Sequence, residues 1–137
     1  MKYLGLDLGT KTLGLAISDR LGTIASPYKV LRYDNINSLI DELINIIEEE
    51  KVDELVLGLP KNMDNSLGFA SERSLNFKKL LEEKVNKNIH LVDERLSTKE
   101  AENFLISTDM SREKRKKIID AYAASIILDT YINSMKG

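Results

Sequence analysis

Three acidic residues, Asp7, Glu94 and Asp120, could do chemistry together, and two of them, Asp7 and Asp120, occupy positions where a carboxylate needs a reason. Asp7 sits inside the apolar stretch Tyr3-Leu4-Gly5-Leu6-Asp7-Leu8. Burying an unpaired charge costs far more than any local contact returns, so such a group is paired, protonated or bound to a metal. Asp120 falls on the stripe of its helix that carries Ala123, Ala124, Ile127 and Tyr131, which should face a sheet. Its alternative is an ordinary surface pair with Lys116, four residues earlier. Glu94 closes the segment Ile89-His90-Leu91-Val92-Asp93-Glu94. An acid at a strand end is commonly just solvated, so the case for function rests on the three acids converging. Three hard oxygen ligands without His or Cys suit Mg²⁺ or Mn²⁺ rather than zinc. The one histidine, His90, lies mid-strand and reads as structural.

The elements that must position these acids begin with a hairpin. Side chains alternate between the faces of a strand. Leu4, Leu6 and Leu8 therefore share one face, and Tyr3, Gly5 and Asp7 the other. After a tight turn at Gly9-Thr10-Lys11-Thr12, Leu13, Leu15 and Ile17 repeat the bulky face, and Gly14, Ala16 and Ser18 the small one. Asp7 thus stands on a nearly bare face. Glycines in strands often mark close approach of a ligand or another backbone. Two readings stand here. Either Asp7 holds a metal ion or points at phosphate, or it bonds to turn amides while the glycines serve helix packing.

Gly22 to Arg32 predicts a third antiparallel strand, with Pro27 marking an edge position or a bulge. Asn35 or Asn37 caps a helix in which Ile36, Leu39, Ile40, Leu43 and Ile47 fall at helical spacing. The continuous apolar run Leu55 to Pro60 reads as a parallel strand covered on both faces. A polar loop, Lys61 to Gly68, leads into a helix carrying Phe69, Leu75, Phe77, Leu80 and Leu81, followed by the strand that ends at Glu94. Ser97-Thr98-Lys99-Glu100 is a capping box opening a helix to about Ile106, and Ser111 caps a last helix to about Ile132. Three strands followed by α-β-α-β-α-α is an α/β pattern, a mixed sheet with helices on both sides. In such sheets ligand groups gather outside the carboxyl ends of the strands, where the three acids can meet.

A chain of 137 residues suits one domain, residues 1–137, with a single substantial core. Hydrophobic residues make up 42% and charged residues 31%, an ordinary globular balance that argues against long disorder. The net charge of −2 provides no global basic field, so a nucleic-acid partner would need a local basic patch. The absence of cysteine removes disulfides and thiolate metal sites and fits a reducing cytoplasm. Asp7 and Lys11 interrupt what would be a signal-peptide core, and no apolar run approaches the roughly 20 residues of a membrane span. A cytoplasmic protein without a membrane partner is expected.

The local basic patch exists. Arg112, Lys114, Arg115, Lys116 and Lys117 crowd the first turns of the last helix. Cations there oppose the helix macrodipole, a conflict that a phosphate backbone across that end relieves. A solvated charged face is the alternative. Lys11, Lys61, Arg95 and Lys99 are further candidates near the proposed carboxylates.

Four blocks carry a resemblance. The run Gly5 to Asp19 (GLDLGTKTLGLAISD) resembles the signature of the bacterial YqgF family, Holliday-junction-resolvase-like proteins also described as pre-16S rRNA nucleases. So do Gly58-Leu59-Pro60-Lys61-Asn62-Met63-Asp64, Val92-Asp93-Glu94-Arg95-Leu96-Ser97-Thr98 and Ile119-Asp120-Ala121-Tyr122-Ala123-Ala124, in the family's order across essentially the whole chain. The resemblance implies a ribonuclease H-like fold with sheet order 3-2-1-4-5, strand 2 antiparallel to the rest. It implies an acidic site of Asp7, Glu94 and Asp120, with two Mg²⁺ or Mn²⁺ ions about 4 Å apart activating water for phosphodiester hydrolysis. Lys11, Lys61, Arg95, Arg112, Arg115 and Lys116 would hold flanking phosphates. The substrate it implies is structured RNA at the 5′ end of precursor 16S rRNA, with branched DNA as the alternative. One departure is Asn65, where the family pattern has glycine; asparagine tolerates a left-handed backbone better than most residues.

Two rival readings remain. The Asp7-Leu8-Gly9-Thr10 turn also resembles the phosphate loop of actin and sugar kinases, which need two lobes where this chain has length for one. A nucleic-acid-binding ribosome-assembly module without catalysis is the other. A resolvase acting on a two-fold junction is expected to be a dimer, yet no dimer seam shows in the sequence, so monomer and homodimer both stand.

Overall fold

The computed structural model describes residues 1–60, 68–93, 103–108 and 111–136. Strands β1 (Tyr3–Leu8), β2 (Thr12–Ser18) and β3 (Ala25–Arg32) are followed by helix α1 (Ile36–Glu49), β4 (Glu54–Leu59), α2 (Phe69–Lys84) and β5 (Ile89–Asp93). Residues 103–107 are helical (α3), and α4 (Arg112–Met135) ends the chain. The strands form one five-stranded sheet of order β3-β2-β1-β4-β5. β2 runs antiparallel to both its neighbours, while β4 pairs parallel with β1 and β5. This is the expected ribonuclease H-like topology.

The alternation in the hairpin decides which helices cover which face. Leu4, Leu6, Leu8, Leu13 and Leu15 are buried against Leu39, Ile40, Leu43, Ile46 and Ile47 of α1 and Phe77 and Leu81 of α2. The small face receives α4, with Tyr3, Ala16 and Val56 packed on Ala124, Ile127, Leu128 and Ile132. β4 is covered on both faces, as its unbroken apolar run requires, with Leu55, Val56 and Leu57 fully buried. Each such Leu contributes about 1.5–3 kcal/mol through burial.

Pro27 lies on β3, an outer strand, beside a bulge that shifts register between Leu15 and Ala16. Edge and bulge are the two places where a missing N–H does no harm. Asn35 is the cap of α1, accepting from the N–H groups of Asn37 and Ser38, and Ser111 caps α4 through the N–H of Lys114. β3 begins three residues later than expected, because Asp19 folds Gly22–Ile24 into a turn. Its carboxylate accepts from the Thr23 N–H and hydroxyl and the Ile24 N–H, at 2.7, 2.6 and 3.1 Å.

Two helix faces differ from expectation. On α2 the buried positions are Ser71, Ser74, Phe77 and Leu81, whereas Phe69, Leu75 and Leu80 are exposed. On α4 the buried face extends beyond the stripe of Ala123, Ala124 and Ile127 to Leu128 and Ile132, while Asp129 is exposed. The apolar arc of α4 is wider than a single stripe because the helix crosses several strands of the sheet. The capping box at 97–100 lies outside the described residues.

Candidate active site

Glycine brings the first two acids together. Asp7, next to last in β1, pairs across the hairpin with Gly14 of β2. A Cβ built on Gly14 would stand 2.1 Å from the Asp120 carbonyl oxygen and 2.9 Å from Asp120 Cβ. The backbone of α4 thus rests on Gly14, and Asp120 lies over the residue paired with Asp7. Paired residues on one sheet face have Cβ positions about 5 Å apart, so the two carboxylates share one patch. Both are half-buried. Asp120 thus faces the sheet, at a position set by the small face.

The strand that precedes the third acid in the chain lies on the far side of β4. Leu6 pairs with Leu57 and Leu57 with Leu91, which brings the carboxyl ends of β1, β4 and β5 to one edge. β5 ends at Asp93, paired with Leu59. Glu94 follows directly and lies outside the described residues, as do Lys61, Arg95, Lys99 and Asn65. Among the described residues no group of three His, Cys, Asp or Glu side chains is placed to hold a metal ion. Asp7 and Asp120 supply hard carboxylate oxygens, a donor set that fits Mg²⁺ or Mn²⁺.

Of the basic candidates, Lys11 is exposed in the β1–β2 turn, Arg112 is exposed at the start of α4, and Arg115 is half-buried. Along the helix axis Arg112 and Arg115 precede Asp120 by about 12 and 7.5 Å. Lys116 lies on α4, its side chain outside the described portion. His90 is structural, as read: its Nε2 is 2.8 Å from Glu54 Oε1 and its ring stacks on Tyr131 with centroids 4.6 Å apart. Hydrogen bonds from Asn88 and then His90 hold the Glu54 carboxyl below its usual range. This cluster joins the starts of β4 and β5 to the end of α4, away from Asp7.

Thr12 belongs to the patch as well, and Tyr33 fixes the turn that precedes it. The Thr12 hydroxyl donates to Asp120 Oδ2 at 2.7 Å. Alternation places Thr12 on the small face with Gly14 and Ala16, so this partner was within reach of the pattern. Tyr33 latches the β1–β2 turn, its hydroxyl donating to the Gly9 carbonyl and its N–H to the Lys11 carbonyl at 3.0 Å. Burial raises the Tyr33 pKa, and the nearby Arg73 cation offsets this in part. Arg73 is half-buried on α2. Nothing in α2's own pattern marks it.

Comparison with known proteins identifies the family. A family described as "RuvX: Holliday junction resolvase" matches residues 1–134. A Staphylococcus saprophyticus protein named "Putative pre-16S rRNA nuclease" is 47% identical, covering 98% of this chain and 97% of its own. A Staphylococcus aureus protein of the same name is 48% identical, with 98% and 96% covered. Among solved structures, a fowlpox virus resolvase bound to Holliday junction DNA superposes with a TM-score of 0.63 at 15% identity, each chain covered completely. Thermus thermophilus RuvC with its Holliday junction substrate gives 0.60 at 14%, with 100% and 96% covered. These two share the fold. The chain belongs to the RuvX family, the family called YqgF where its sequence blocks were matched above.

Proposed function

We propose that this chain is a metal-dependent nuclease that hydrolyses phosphodiester bonds in structured RNA, acting on the 5′ end of precursor 16S rRNA in the cytoplasm. The observation that carries the reading is the seating of Asp120 on Gly14, beside Asp7, at the sheet edge where β5 delivers the chain to Glu94. Relatives at 47–48% identity that bear the name of a pre-16S rRNA nuclease favour RNA. The family's description favours branched DNA as the second substrate.

Asp7, Glu94 and Asp120 would hold Mg²⁺ or Mn²⁺, which when bound generates a nucleophile from water and neutralises charge on the leaving oxygen. The chain's own contribution is placement. Gly14 sets α4 close enough for Asp120 to join Asp7, and the sheet keeps both on rigid elements. Lys11, Arg112 and Arg115 would grip flanking phosphates, with Lys61, Arg95 and Lys116 as further contacts. Such contacts fix the register of the strand without reading its sequence.

The test is cleavage of labelled precursor 16S rRNA and a four-way DNA junction, side by side, with and without chelator and with Asp7→Asn. Loss of RNA cleavage on chelation and in the variant is expected. Full activity of Asp7→Asn removes the proposal. Cleavage of the junction alone assigns the activity to DNA.

A further inference from the structure

The hydroxyl of Thr12 sits on the carboxylate of Asp120, and the surrounding bonds hold it there. Thr12 opens β2, and its carbonyl accepts the Gly9 N–H at 2.8 Å across the turn. The Gly9 carbonyl in turn accepts the Tyr33 hydroxyl, while the Tyr33 N–H binds the Lys11 carbonyl. The backbone is therefore tied on both sides of Thr12. A branched Cβ makes the Thr side chain stiff about χ1, so a fixed backbone gives its hydroxyl a fixed direction. A Cβ at Gly9 would stand 3.3 Å from Thr12 Oγ1, a tight fit, so glycine there keeps the hydroxyl unobstructed.

An aspartate carboxyl turns easily about χ2, because a terminal sp³–sp² torsion has broad minima. One strong donor removes that freedom. The Thr12–Asp120 bond, at 2.7 Å, has the length of a charge-assisted O–H···O⁻ bond. It engages Oδ2 and leaves Oδ1 outside this bond. We propose that Thr12 is a positioning residue, whose hydroxyl holds the Asp120 carboxylate by Oδ2 so that Oδ1 is presented to the cation. This rests on the reading of Asp120 as a metal ligand given above. Partners that orient metal-binding side chains in this way set metal affinity without touching the metal.

A purely structural role, tying α4 to β2, predicts something different, and Mn²⁺ affinity separates the two. Mn²⁺ is titrated into the full chain without nucleic acid, followed by calorimetry or by the electron paramagnetic resonance of free Mn²⁺. Thr12→Val keeps the shape and removes the donor; Thr12→Ala does so without any risk of overpacking; Thr12→Ser restores the hydroxyl. Both donor-less variants are expected to bind Mn²⁺ about 10–100-fold more weakly, and Thr12→Ser close to wild type. Cleavage by the donor-less variants should recover at high metal concentration. Unchanged Mn²⁺ affinity in folded Thr12→Val or Thr12→Ala overturns the proposal, as does Thr12→Ser binding as weakly as they do. Asp7→Asn and Asp120→Asn run alongside. If those two retain metal binding and cleavage, the nuclease reading itself has failed, whatever Thr12 does.

Discussion

Gly14 lies directly beneath Asp120, so close that a single added carbon would stand 2.1 Å from the helix carbonyl. One hydrogen atom on β2 thus governs the seat of α4 and the meeting of two acids. Overpacking by a methyl commonly costs about 1–3 kcal/mol, and here the obstacle is backbone, which cannot turn aside. Gly14→Ala is expected at or above the top of that range, with loss of cleavage. Gly5→Ala meets Leu128 Cβ at 2.9 Å and the Ala124 carbonyl at 3.0 Å and should cost less. Urea denaturation of the two variants checks the ranking, and equal midpoints would contradict it.

Tyr33→Phe tests the latch on the turn. Losing the bond to the Gly9 carbonyl should lower stability by about 1 kcal/mol. Cleavage should fall as well, because the same turn fixes Thr12. Burial raises the folded Tyr33 pKa above its ordinary value, so the stabilisation is complete below the unfolded pKa near 10. It fades as pH rises through the folded value. The stability gap between wild type and variant, measured by denaturation across that range, should therefore narrow only in strong alkali.

Phosphate contacts should appear in the salt dependence of binding. Each contact removed flattens the plot of log affinity against log salt by about 0.7–0.9. Arg112→Gln and Lys11→Gln are expected to do this for a non-cleaved RNA while leaving base preference unchanged. A slope identical to wild type in both would return these residues to the solvated surface.

Two buried serines on α2 should respond in opposite directions. Ser71 donates its hydroxyl to the Pro60 carbonyl, whereas buried Ser74 has no hydrogen-bond partner among the described residues. Ser71→Ala leaves a carbonyl short of a donor and should cost about 1 kcal/mol. Ser74→Ala removes an unsatisfied hydroxyl and should be neutral or stabilising. Thermal denaturation of the pair decides, and a large loss in Ser74→Ala would be the contrary result.

The turn between β2 and β3 carries an acid-sensitive link. The Thr23 hydroxyl, then the N–H groups of Ile24 and Thr23, lower the Asp19 pKa to about 2. A depressed folded pKa gives stability that is complete above the unfolded value near 4 and is lost as pH falls towards about 2. Asp19→Ala should therefore differ from wild type at neutral pH and converge with it in that acid window. Carboxyl NMR titration gives the midpoint directly.

The alternation of Leu4, Leu6 and Leu8 with Gly5 and Asp7, and its repeat in β2, carried most of the fold. A strand has two faces and a strict period, so residue size alone tells which face a long helix can approach. The unbroken run of β4, Pro27 at an edge and the caps Asn35 and Ser111 were legible for similarly local reasons. Asp120 was readable as inward because a helical stripe is also a local property. What the chain order could not contain was the partner of each acid. The hydroxyl of Thr12 reaches Asp120 across 108 positions, and Tyr33 holds the Gly9 turn from the end of another strand. The first depends on where α4 lands on the sheet, decided by the sum of close contacts at Gly5, Gly14 and Ala16, and the second on how β3 pairs with β2. The same holds for α2, where polar Ser71 and Ser74 are buried and Phe69, Leu75 and Leu80 are exposed. The helix turns the face that fits β4, and hydrophobic spacing on α2 was too weak to forecast it.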